Sequence, residues 1–104
     1  MANFLFIYHG AGAPTTKEAQ AKAMADWGAW FGAMGKALIN GGNPVGKSWT
    51  VKSQSSVTKD GGANPVSGYS VVEAKTYDDA VEMAKGCPVL ASGGTVEVAE
   101  VMDM

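Results

Sequence analysis

The sequence predicts an α+β protein: a four-stranded antiparallel sheet carrying two helices on one face, in the order βαββαβ. Three observations point there. Residues 3–9 are apolar on both alternating sides, the pattern of a central strand. Residues 15–38 and 76–86 repeat apolar side chains at spacings of three and four, the period of a helix packed on one side. Stretches at 45–51, 68–74 and 95–102 alternate or run β-branched between turn-forming residues. At 104 residues, 46% hydrophobic and 17% charged, the chain suits one domain over 1–104 with one core.

In the first strand Phe4, Phe6 and Tyr8 point one way and Leu5, Ile7 and His9 the other. It runs into a glycine-rich loop, residues 10–14. Thr15 or Thr16 caps the first helix, and Glu18 sits in its first turn, where the helix dipole favours a carboxylate. Ala23, Trp27, Trp30, Phe31, Met34 and Leu38 make its apolar stripe, so the helix is expected to reach about Leu38. Gly28, Gly32 and Gly35 each cost up to about 1 kcal/mol of helix propensity and read as a close-contact surface. Asn40-Gly41-Gly42-Asn43-Pro44 ends the helix.

Residues 45–51 read as the second strand, 53–67 as a polar turn or long hairpin connection, and 68–74 as the third strand. Thr76 caps the second helix, with Asp78 and Asp79 in its first turn and Tyr77, Ala80, Val81 and Ala84 on its buried side. Gly86 ends that helix and Pro88 blocks its continuation. After Ser92-Gly93-Gly94, residues 95–102 alternate as the last strand. The order is that of the split βαβ, or ferredoxin-like, architecture. Two helices cover only one side of a sheet whose first strand is apolar on both. The simplest cover for the other side is a second copy packed face to face, a homodimeric α+β barrel; trimers and larger rings are the other closed assemblies.

The formal charge is -2, and every one of the eight basic residues is a lysine. Without a basic cluster or the arginine fork, nucleic acid is not an expected partner. Cys87 is the lone cysteine, no signal-like segment opens the chain, and no apolar run approaches the roughly 20 residues of a membrane helix. The expectation is a cytoplasmic protein with no membrane partner.

The segments FLFIYHG, GYSVVEAKTYDDAVEMAKGCPVL and GGTVEVAEVM resemble the YCII-related family. The resemblance spans nearly the whole chain, is most specific in the C-terminal third and is poorest over residues 53–67. It implies a dimeric α+β barrel. One branch of that family carries an Asp-Gly-Pro-Phe motif before the third strand, where this chain has Asp60-Gly61 followed by Gly62-Ala63. Another carries a proposed catalytic His-Asp pair, whose positions by ungapped reading are Met24 and Cys87 here. The dyad is absent, so the lyase chemistry suggested for those relatives does not transfer through it.

Gly41 to Ser48 fits the letters of a P-loop, but that loop needs a strand before it and a helix after it. Here a helix precedes and a strand follows, so Lys47 reads as a solvated lysine. His9, at the mouth of the sheet, is the candidate catalytic residue, as a general base or anion ligand; the competing reading is a strand-end histidine bonded to a backbone carbonyl or to its dimer partner. Trp30, Trp49, Tyr69 and Glu97 are the candidate ligand-binding residues. Trp27, Trp30 and Phe31 are core by spacing before they are pocket walls. Glu97 and Glu100 face opposite sides of the last strand and are not paired catalytic carboxylates. Cys87, at a helix C-terminus before proline, should have a raised thiol pKa. One Cys and one His at no ligand spacing give no metal and no cofactor. Two functions fit: a dimeric module that binds a small organic metabolite, with weak lyase- or isomerase-type activity at His9 as its enzymatic form, or a non-catalytic structural or regulatory dimerisation domain.

Overall fold

The computed structural model describes residues 1–10 and 14–103. Residues 11–13, the middle of the expected glycine-rich loop, lie outside the described residues, as does residue 104. Ala2–His9 (β1) runs through the middle of the sheet, paired antiparallel on both sides. Lys17–Met34 (α1) follows, capped by Thr16, whose Oγ1 accepts from the Ala19 N–H at 3.0 Å. Leu38–Asn40 (β2), Thr50–Ser53 (β3), Ser56–Thr58 (β4) and Val66–Ala74 (β5) come next, then Tyr77–Ala84 (α2), Pro88–Ala91 (α3) and Thr95–Glu100 (β6). The main sheet has the order β2-β5-β1-β6, all antiparallel, which is compatible with a ferredoxin-like fold. A separate two-stranded ribbon, β3-β4, stands apart from it.

Four expectations about boundaries change. The first helix stops at Met34, because Gly35 turns to φ 54° and its N–H closes on the Phe31 carbonyl; Leu38 is in a strand opposite Val72. Tertiary pairing to the edge of β5 overrides the helical period there. The second strand of the sheet is therefore Leu38–Asn40, not 45–51, whose last two residues, Thr50 and Val51, begin the ribbon instead. The 53–67 connection contains the return strand β4 of that ribbon and the start of β5 at Val66. Pro88 begins a short helix, as the fixed φ and missing N–H of proline suit a first helical position.

The core lies on one side of the sheet. Phe4, Phe6 and Tyr8 from β1 and Val72 and Ala74 from β5 pack with Trp30 of α1, Ala80 and Ala84 of α2, Cys87, and Val89 of α3. The small residues of α2 let it sit close to the strands; Trp30 fills the remaining space, stacked on Phe6 at 6.1 Å. On the other side, register places Leu5 between Val71 and Ala99, and Ile7 between Tyr69 and Glu97. None of these joins the buried cluster. The molecule measures 44 × 43 × 18 Å with a radius of gyration of 14.9 Å, against about 13 Å for a compact chain of this length. It is one sheet, one helical layer and an uncovered back.

Candidate functional site

The open back of the sheet carries His9 at the end of β1. Opposite it, β5 has an irregularity: Tyr8 pairs Gly68 but His9 pairs Val66, so Ser67 is extra. The offset brings the preceding chain against the imidazole. Nδ1 lies 3.0 Å from the Asn64 carbonyl oxygen and 3.3 Å from that of Pro65. On β6, Glu97 is the diagonal neighbour of His9 across the strand pair, and its Oε1 is 2.9 Å from Nε2. Both ring nitrogens thus face acceptors, and only the imidazolium donates from both. The Glu97 hydrogen bond, with smaller help from the two carbonyls, outweighs desolvation and raises the histidine pKa above its ordinary value. With both ring nitrogens engaged, His9 can accept a proton only after one of these contacts is given up.

Tyr69 shares the face, one place across Ile7 from Glu97. The other two candidate residues lie elsewhere. Trp30 is 8% exposed on the opposite side of the sheet, its Nε1–H donating to the Met83 carbonyl at 3.0 Å. Trp49 stands out on the approach to the ribbon, 62% exposed, with the Lys59 ammonium 5.1 Å from its ring centre. Sequence spacing correctly makes Trp30 core before ligand wall.

A second feature lies on the helical side. A cleft of about 940 Å³ opens between α1, the segment 41–45 and α3. Tyr8, Trp27, Phe31 and Val89 form its apolar walls, the chain from Gly41 to Val45 its polar edge, and Lys22, Met24 and Asp26 its rim. Trp27 meets Tyr8 edge-on at 4.9 Å and Phe31 at 5.8 Å, so the walls brace one another. The Tyr8 hydroxyl donates to Ser70 Oγ at 2.8 Å, and Ser70 donates to the Gly41 carbonyl at 2.6 Å. That buried relay ties the cleft floor to its edge, and burial raises the Tyr8 pKa, keeping the phenol protonated. Gly42, at φ 69°, lies so close to β5 that a Cβ would overlap the Tyr69 carbonyl oxygen.

The 41–45 strip is the first half of the P-loop-like stretch. It bridges to Gly68 through Pro44 and is followed by no helix, and Lys47 is exposed. Met24, at one position of the absent dyad, borders the cleft; Cys87, at the other, is buried in the core and does not line it. The thiol is pushed up to about 11 by burial. Burial, not a helix C-terminus, is the cause, since Cys87 caps the start of α3. Of the cleft, the sequence reading held Tyr69 as a ligand-binding candidate and Trp27 and Phe31 as secondary ones, but missed Tyr8 and Gly42. The signal was present in Asn40-Gly41-Gly42-Asn43-Pro44, which forms a wall of the cleft rather than the helix stop, the helix having ended at Met34. Among the described residues no cluster of three or more His, Cys, Asp or Glu is placed to hold a metal, and no helix is long and apolar enough to cross a membrane. No family model and no curated protein matches the chain.

Proposed function

We propose that this chain is a small-molecule-binding module that works as a two-fold dimer, in keeping with its resemblance to the YCII-related family. The observation that carries the binding half is the aromatic cleft: its volume suits a small organic ligand, and its walls are apolar with a short polar edge, the usual make-up of such a site. A ligand with a flat apolar body would lie against Trp27 and Phe31 and present polar groups to the 41–45 edge. The dimer half rests on the uncovered sheet face with Leu5, Ile7 and Val71 at its centre. His9 has a positioning role in this reading. Held by Glu97 at Nε2 and by the Asn64 carbonyl at Nδ1, it fixes the 64–66 chain to the sheet; a general-base role would require one ring nitrogen to give up its acceptor first.

A thermal-shift screen of small metabolites tests the binding site, because a specific ligand raises the melting temperature by mass action. Ala19 is an exposed cleft position on α1, so Ala19→Trp fills the cleft without disturbing the core. The expected result is a ligand whose stabilisation is lost in that variant and retained in Trp49→Ala. Stabilisation unaffected by Ala19→Trp, or abolished by Trp49→Ala, would move the site out of the cleft.

A further inference from the structure

We propose that the β3-β4 ribbon is an arm that packs against the rim of the open sheet face of a second copy of this chain, beside the sheet-to-sheet contact. This builds on the dimer reading above and names the element that completes its interface. Strand alternation puts Trp49, Val51, Val57 and Lys59 on one side of the ribbon. Trp49, Val51 and Val57 are 62%, 72% and 52% exposed. A lone two-stranded ribbon is at best marginally stable in water, and among the described residues this one has no third strand to bury its apolar side. It needs a partner surface.

Area and charge select the surface. A four-stranded sheet with strands of this length presents roughly 500 Å² per copy. Two such faces bury about 1,000 Å², short of the roughly 1,200–2,000 Å² of a stable specific interface. Contact from outside the sheet would bring the interface into that range, and the ribbon, with three large exposed apolar side chains on one side, is an element free to supply it. Residues 45–59 carry Lys47, Lys52 and Lys59 and no acid. Asp60, at the root, is turned to the Gly62 N–H. The open face carries Glu73, opposite Asn3, and Glu97, beside His9. A basic arm with an apolar side thus meets an apolar face edged by acids, and a two-fold axis makes the contact twice. The root of the arm runs through Asn64 and Pro65 to His9, so the arm leaves from the very face that its counterpart would cover.

Carbodiimide coupling of a mixture of ¹⁴N- and ¹⁵N-labelled protein, equilibrated before reaction, tests the arrangement. Amide links between Lys47, Lys52 or Lys59 of one isotope and Glu73 or Glu97 of the other are expected. The double variant Val51→Ser with Val57→Ser changes only exposed positions and should raise the dimer dissociation constant roughly tenfold or more. A dimer without mixed-isotope links from the arm to the face, and indifferent to the two serines, overturns the arm but leaves the dimer. A wild-type chain that sediments as a monomer at high concentration overturns both.

Discussion

His9 shows how much a single side chain depends on neighbours far away in sequence. That it shares a side of the first strand with Leu5 and Ile7 followed from alternation alone, while which side the helices cover did not, and the choice between a base and a strand-end anchor turned on partners fifty-five or more positions away. No spacing rule reaches Asn64 or Glu97 from position 9. The raised pKa has a definite consequence for stability. Because the folded value exceeds the unfolded one of about 6.5, the His9–Glu97 pair stabilises fully below that pH and loses its contribution as pH rises through the folded value. Titration of the imidazole followed by NMR should place its pKa above the ordinary histidine value, and Glu97→Gln should bring it down. An unshifted wild-type titration, or no change in the variant, would mean that the pair does not form. A second residue-scale expectation concerns Gly42 and Gly62, both at positive φ. Gly42→Ala should cost roughly 2 kcal/mol or more and alter the cleft, since strain adds to overlap with β5. Gly62→Ala, with open space around it, should cost only the strain, about 1–2 kcal/mol. Equal denaturation midpoints for the two would remove the close approach of 41–45 to β5.

At the scale of elements, the segments with strong local signals formed where the sequence placed them. Thr16 and Thr76 cap α1 and α2 through their side chains, and β5 and β6 differ from the reading by one or two residues at their ends. The errors cluster between residues 35 and 67. There local preference and tertiary demand disagree: Leu38 continues the helical stripe but is taken by the free edge of β5, and Trp49-Thr50-Val51 has β character without a place in the main sheet. A strand-forming segment that finds no partner strand in its own sheet became a ribbon with its apolar side exposed. The arm proposed above gives that conflict a physical outcome, and the serine variants test it at this scale.

For the whole molecule, the informative feature was the first strand, apolar on both sides. It anticipated a sheet with a helical front and an unmet apolar back, and the 18 Å thickness is that of two layers with no third. The cleft was less legible because it is assembled from α1, α3 and a segment read as a helix stop and as a P-loop lookalike, not as a wall; its walls are core residues by period that happen to lie at an edge. In the dimer proposed above, Leu5, Ile7 and Val71 would touch their counterparts in a second copy, while Val72 and Val89, already packed inside, would not. An isotope-filtered NOE experiment on a mixed ¹³C/¹²C sample reads this directly. Intermolecular NOEs to the methyl groups of Leu5, Ile7 and Val71, with none to Val72 or Val89, are expected; a monomer of 10.7 kDa without such NOEs, or an interface formed by the helical layer, would contradict the assembly.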